Sequence, residues 1–283
     1  MVPTIDAIIK IGGSAITEKD ELETLKSSAL PKAFDVIRKC RESGATIIVV
    51  HGAGSFGHHH AKKFEISKGI SSSINEEALK KKMMGFSLTR QSVQKVKSSH
   101  WYEQNIKCIK YHCSRISWRT NKHEPVGWPR ETICLLLKQN FVPVLHGDAC
   151  MDESDGFSIL SGDTIIKTLC SHFDVRRAVF LTDVAGVYDR PPSEPDAQLL
   201  KSIFVKDDGT VDQVIGTSQS KNDVTGGMLL KLNTATKIVS QTRGRCLVFV
   251  CALDSCDSCN IICSAESTEA DLLNTQCTKI MMA

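Results

Sequence analysis

Several short segments carry residue types suited to holding phosphate. The first is Lys10-Ile11-Gly12-Gly13-Ser14, directly after an apolar run, with Lys19 in the same loop. Adjacent glycines let backbone N–H groups approach an anion closely. Lys10 falls at the carboxyl end of a strand candidate, where open α/β sheets bind ligands. The second is His51-Gly52-Ala53-Gly54-Ser55-Phe56-Gly57-His58, again after an apolar run and leading into a helix at about Ser55. Such a strand-to-helix turn presents N–H groups and the positive end of a helix dipole to an anion. It has neither the GxGxxG spacing of a dinucleotide fold nor the GK[ST] of a P-loop. The third is Ser161-Gly162-Asp163 at a helix start, and the fourth is Thr182-Asp183-Val184-Ala185-Gly186-Val187-Tyr188 after a strand. The fifth is Asp223-Val224-Thr225-Gly226-Gly227-Met228, with Lys231 facing back toward the glycine pair at i+4.

Each segment also has a plainer reading. Lys10 to Ser14 could be an ordinary strand-to-loop turn with lysines in solvent, and Ser161 could be no more than an N-cap. Asp163 could instead hold neighbouring lysines by ion pairing. Two glycine-rich cradles suit a reaction that brings together two phosphate-bearing ligands. In the run His58-His59-His60, adjacent helical residues point in different directions, so all three cannot share one metal ion. The reading is one phosphate-facing histidine with two solvated neighbours. Cys256 and Cys259 have CxxC spacing beside Cys251 and Cys263, but neither a second CxxC nor a nearby histidine completes a zinc set. Free thiols are the expectation, and no metal site is assigned.

The elements that must position these residues alternate. Strand candidates are Asp6–Ile11, Ala45–His51, Ile106–Tyr111, Phe141–His146, Ala178–Thr182 and Cys246–Ala252. Helix candidates are Ser28–Glu42, Asn75–Ser99, Pro129–Gln139, Asp163–His172 and Gly227–Thr242. This alternation predicts an α/β fold with a mainly parallel open sheet and helices on both faces, a three-layer αβα sandwich. Asp155-Gly156 signals a hairpin within Met151–Phe157. Arg190–Asp196 holds three prolines and reads as an exposed loop. Ile203–Asp223 reads as a polar, mobile segment.

Composition sets the outer bounds. A chain of 283 residues with 41% hydrophobic and 24% charged residues is ordinary for a globular protein of one large domain or two lobes. A net charge of +3 with few aromatics argues against a nucleic-acid or membrane-surface partner. No apolar run reaches the ~20 residues that span a bilayer, and Met1 to Gly13 lacks the layout of a signal peptide. Twelve cysteines spread over this length suggest reduced thiols and a cytoplasmic setting.

With these motifs in order from Lys10 to Lys231, the sequence resembles the amino acid kinase superfamily, and within it the isopentenyl phosphate kinase branch. The carrying segments are KIGGSAIT with Lys19, HGAGSFGHHHAKKF, HGD at His146–Asp148, FSILSGDTI, LTDVAGVYD and DVTGGMLLK. GSFGH with its histidine is the most specific to that branch. The resemblance implies a single domain over 1–283, with an acceptor-binding lobe of about 1–160 and a nucleotide-binding lobe of about 161–283. It implies ATP as phosphoryl donor with magnesium carried on it, a small phosphate acceptor, and a homodimer. By the same resemblance Lys10, Lys19 and Lys231 grip the phosphates and Asp163 orients the lysines. Gly12, Gly13, Ser14, Thr182, Asp183, Gly186, Tyr188, Gly226 and Gly227 take the nucleotide. Ala53, Gly54, Ser55, Gly57, His58, Phe86, Gly147 and Ile159 take the acceptor. Its apolar tail draws on Ala61, Met83, Met84, Phe86 and Ile159, although a helical Met or Phe taken singly reads as core packing. The rivals are a kinase for another phosphomonoester or phosphonate, and a silent nucleotide-binding relative. Ala53 replaces a usual glycine, Tyr102 to Trp128 matches poorly, and Cys277-Thr278-Lys279-Ile280 stands where relatives end with Gly-Thr and a last strand.

Overall fold

The structure is a computed structural model describing residues 4–70, 73–96, 118–211, 227–255, 260–262 and 275–283, with the backbone alone for 108–110. In chain order the elements are β1 (Ile5–Ile11), α1 (Gly13–Ile16), α2 (Ala29–Glu42), β2 (Ile47–His51), α3 (Ser55–Lys63), α4 (Glu76–Gln94), β3 (Cys108–Lys110), β4 (Arg119–Asn121), β5 (Glu124–Gly127), α5 (Arg130–Lys138), β6 (Val142–His146), β7 (Asp148–Asp152), β8 (Gly156–Leu160), α6 (Gly162–His172), β9 (Val175–Thr182), β10 (Ser202–Val205), α7 (Gly227–Gln241), β11 (Leu247–Ala252) and β12 (Cys277–Met282). They form two compact units, each assembled from separated stretches. One holds Gly12–Leu30 and Ile48–Ile165, the other Thr4–Ile11, Pro31–Ile47 and Ile166–Ala283.

In the second unit the strands run in the order β10-β12-β11-β9-β1. All neighbours are parallel except β11 and β12. β1 reads IDAIIKI and is buried at nearly every position, so both of its faces are covered, as in sheets flanked by helices on each side. Its β-branched isoleucines favour the extended backbone and fill both layers. α7 packs on β10, β11 and β12. The expectation of a polar segment from Ile203 is corrected at its start. Ile203 and Val205 point inward, and Ser202–Val205 is an edge strand paired in parallel with β12. A four-residue edge strand is too short to show its alternation without its partner.

In the first unit, β2, β6 and β3 are parallel neighbours in that order. A smaller sheet runs β5-β4-β7-β8. β7 and β8 form the hairpin signalled by Asp155-Gly156, and Asp152 closes its turn by accepting the N–H groups of Ser154 and Asp155. The Asn75 side chain caps α4 by accepting the Ala78 N–H at 2.8 Å, which satisfies one of the helix's orphan donors. α4 packs on α3. The poorly matching stretch before Trp128 supplies β4 and β5, and the rings of Trp118 and Trp128 stack with centroids 6.0 Å apart.

Candidate active site

In the first unit the two glycine-rich turns pack backbone against backbone. A Cβ on Gly13 would stand 2.6 Å from the Gly54 nitrogen, and one on Gly52 would stand 2.5 Å from the Gly13 nitrogen. Side chains at these positions would force the turns apart. Gly54 has φ 53° and ψ −143°, a region open essentially to glycine, and it starts α3. Thr17 straps the turns together. Its hydroxyl donates to the Gly13 carbonyl at 2.9 Å and accepts the Ser55 N–H at 3.0 Å. Ser55 is further engaged with Thr24, accepting its N–H at 3.4 Å and donating to its carbonyl at 3.3 Å. Lys26, which the sequence did not single out, donates from Nζ to the Ser14 carbonyl at 2.8 Å.

α3 carries the histidine run. His58 is exposed and its N–H bonds the Gly54 carbonyl at 3.0 Å. The other two are not simply solvated, which corrects the sequence reading. His59 and His60 are half-buried, and His59 Nε2 lies 3.2 Å from the carbonyl of Lys19, whose side chain is exposed. Gly57 lies under Ala53, close enough that a Cβ would come within 2.6 Å of the alanine methyl. Gly147 follows β6, donates its N–H to the His51 carbonyl at 3.0 Å, and faces the Gly162 and Ala53 nitrogens. Ser161 does cap α6, accepting the Thr164 N–H at 3.0 Å, with Asp163 half-buried in the first turn.

Phe86, Ile159 and Ala61 pack against a buried cluster of Phe64, Ile66, Ala149 and Phe157. The rings of Phe86 and Phe157 stack with centroids 5.3 Å apart. Met83 and Met84 are 57% and 52% exposed, so neither packs in the core as a helical methionine is expected to. Sequence reasoning missed a buried ion pair beside this cluster. Arg90 Nε lies 3.6 Å from Asp148 Oδ2, and the guanidinium sits 5.6 Å from the Phe86 ring centroid. Asp148 belongs to the HGD segment, which was a usable signal, whereas nothing local marks Arg90 within an amphipathic helix.

In the second unit Lys10 is only 5% exposed, with Nζ 5.7 Å from the centroid of Phe180, its register partner on β9. Thr182 ends β9 and donates to the exposed Asp183 carboxylate at 2.9 Å. Gly186 abuts β12, where a Cβ would lie 2.4 Å from the Thr278 hydroxyl. Val187 donates its N–H to that hydroxyl at 2.8 Å, and Tyr188 bridges to Leu199. Lys231 reaches back along α7 and donates from Nζ to the Gly227 carbonyl at 3.0 Å. Gly226, with Asp223, Val224 and Thr225, lies outside the described residues, as do Cys256, Cys259 and Cys263. Among the described residues no cluster of His, Cys, Asp or Glu could hold a metal ion, and no helix is long and apolar enough to cross a membrane.

A mainly parallel α/β fold with glycine-rich turns at its strand ends defines a class, and comparison names it. The chain belongs to the amino acid kinase family, whose model matches residues 7–250. It is similar to the isopentenyl phosphate kinase of Arabidopsis thaliana, at 34% identity over 83% of this chain and 84% of that protein. The isopentenyl phosphate kinase of Methanothermobacter thermautotrophicus is 36% identical over 80% of this chain and 84% of that protein. A solved structure of an isopentenyl phosphate kinase matches with a TM-score of 0.76 at 25% identity, covering 97% of this chain and 99% of that one.

Proposed function

We propose that this chain is a kinase that transfers the γ-phosphoryl group of ATP to isopentenyl phosphate, giving isopentenyl diphosphate and ADP. The observation that carries the reading is the backbone contact of Gly13 with Gly52 and Gly54. A phosphate held on the amides of Gly12, Gly13 and Ser14 and one held on the Gly52–His58 turn would be immediate neighbours. Two anions held so close need fixed donors and cations, which is the main demand of phosphoryl transfer.

In this reading an oxygen of the acceptor phosphate attacks the γ-phosphorus. A new P–O bond forms, the bond to the β,γ-bridging oxygen breaks, and ADP leaves with that electron pair. The acceptor is already anionic, so no strong general base is required. Ala53 and Gly54 present peptide N–H groups to the acceptor phosphate, Gly57 and Gly147 let the backbone close up around that turn without side chains, and His58 adds a hydrogen bond that is strongest as imidazolium. Ser55 acts by fixing the start of α3. Ala61, Phe86 and Ile159, backed by Phe64 and Phe157, offer the apolar wall that an isoprenoid tail needs.

Lys10, Lys19 and Lys231 neutralise the nucleotide and transferring phosphates, Asp163 positions lysines, and Thr182, Asp183, Gly186, Tyr188, Gly226 and Gly227 line the nucleotide. No residue of this chain is assigned to hold magnesium; carried in on ATP, it would offset phosphate charge alongside Lys10, Lys19 and Lys231. A homodimer in the cytoplasm remains the setting this reading adopts.

The test is ATP consumption with isopentenyl phosphate, other phosphomonoesters, a phosphonate, and N-acetylglutamate as the carboxylate control. The highest kcat/KM for isopentenyl phosphate is the expected result. Preference for a polar phosphomonoester or for the carboxylate, or no turnover of any acceptor, would overturn it.

A further inference from the structure

The two parallel strands that lead into the cradle both end on a histidine followed by a glycine, His51-Gly52 on β2 and His146-Gly147 on β6. The histidines are register partners and fully buried. Their rings stack with centroids 5.4 Å apart and planes 27° apart. In each, Nδ1 lies 3.0 Å from the carbonyl oxygen of the following glycine. A carbonyl only accepts, so Nδ1 carries a proton in both rings.

That bond constrains the next peptide group. In a trans peptide the carbonyl and the following N–H point in opposite directions, and none of the described peptide bonds is cis. Holding the Gly52 carbonyl on the His51 ring therefore turns the Ala53 N–H to the other side. Holding the Gly147 carbonyl on the His146 ring does the same for the Asp148 N–H. The two junctions are also tied to each other, since the Gly147 N–H bonds the His51 carbonyl at 3.0 Å. Gly147 faces the nitrogens of Ala53 and of Gly162 at the start of α6. Peptides flanked by glycine rotate easily, so an unrestrained turn would sample orientations that aim these amides away from an anion.

We propose that His51 and His146 are positioning residues. Their Nδ1–H groups lock the Gly52 and Gly147 carbonyls and so set the direction of the amides that meet the acceptor's phosphate. The inference rests on the kinase reading above and adds residues to which that reading gives no role.

The experiment replaces each histidine with Asn, Gln and Leu. An Asn amide can place its N–H near the position of Nδ1, a Gln amide reaches past it, and Leu has no donor. His51→Asn and His146→Asn should keep the acceptor KM within about threefold of wild type. The Gln and Leu variants should raise it roughly tenfold, as expected for one lost oriented hydrogen bond, with the ATP KM little changed. Rescue by Asn but not Gln, at similar melting temperatures, separates positioning from packing. If Leu variants fail to fold, the Asn and Gln pair still decides. Isothermal titration of each variant with inorganic phosphate gives a readout independent of turnover. Should wild type fail to phosphorylate isopentenyl phosphate while Gln variants alone lose phosphate binding, the activity falls and the positioning role stands. Should wild type be active while Asn and Gln variants behave alike, or both KM values shift together with stability, the positioning role falls and the activity stands.

Discussion

The hydroxyl of Thr278 accepts the N–H of Val187 at 2.8 Å, so the last strand holds the loop that follows β9. The same hydroxyl lies 3.4 Å from the Val187 carbonyl, to which it donates. Gly186 completes the fit, because a Cβ there would collide with Thr278. The C-terminal segment looked atypical in sequence, yet its threonine secures the loop proposed to line the nucleotide.

Replacing that hydroxyl by a methyl group isolates its contribution. Thr278→Val keeps the shape of the side chain but leaves the buried Val187 N–H without its acceptor, which costs about 1–3 kcal/mol. The loop should loosen, raising the KM for ATP several-fold while the acceptor KM stays near wild type. Thr278→Ser, which restores the oxygen, should recover most of both. Thermal melts and initial rates with each substrate varied in turn check this. Unchanged ATP affinity in a destabilised Thr278→Val would confine Thr278 to packing.

What could be read in the sequence was what neighbours along the chain decide. β1 and β2 are legible because β-branched runs buried on both faces need no partner to identify them. The β7–β8 hairpin is legible from Asp155-Gly156. β10, β4 and β5 were missed because three or four residues carry no period of their own, and only pairing with β12 or β7 makes them strands. In the site, the sequence located both glycine turns but not their mutual contact, which depends on residues some forty positions apart having no side chains to separate them. Arg90, Lys26 and Thr17 stayed invisible for the same reason. Each acts through a partner that only the fold brings near.

That contact makes Gly54→Ala a severe change. Its backbone region alone costs an L-residue about 1–3 kcal/mol, and the added methyl would lie 2.2 Å from the Thr17 hydroxyl that straps the turns. Gly44 also has positive φ, but a Cβ there meets nothing within 4 Å. Gly44→Ala should therefore lose only modest stability and keep its activity, whereas Gly54→Ala should lose most activity even where it remains folded. Circular dichroism and turnover of the two variants side by side provide the comparison.

Asp152 predicts a pH signature in the hairpin. Its buried carboxylate accepts the N–H groups of Lys122, His123, Ser154 and Asp155 and the Thr120 hydroxyl. Burial alone would push its pKa up, but these donors outweigh that and hold it well below the usual aspartate range. A depressed folded pKa contributes stability that is fully present above the unfolded value, near 4, and is lost as pH falls toward the folded value. Asp152→Asn should therefore cost about 2 kcal/mol near neutral pH. The gap to wild type should shrink steadily below about pH 4, because wild type alone loses this contribution there. Urea unfolding at a series of pH values measures it, and a gap that stays constant down to pH 2 would contradict the assignment.

The roles proposed for His58 and Lys10 separate in kinetics. His58 is exposed on α3 just past the Gly54 turn, so His58→Ala should leave folding intact. The variant would lose the charge-assisted hydrogen bond proposed between His58 and the phosphate, which corresponds to an acceptor KM raised by roughly one to two orders of magnitude. The ATP KM should scarcely move. Lys10 is buried against Phe180 and is proposed to neutralise charge that develops during transfer. Lys10→Met keeps the apolar stem over the ring, so the fold should survive, while kcat should fall by a hundredfold or more, on the order of 3 kcal/mol of transition-state stabilisation. The discriminating result is the contrast between them. Equal losses of both substrates' KM in His58→Ala, or near-normal kcat in Lys10→Met, would remove that residue from the proposed mechanism.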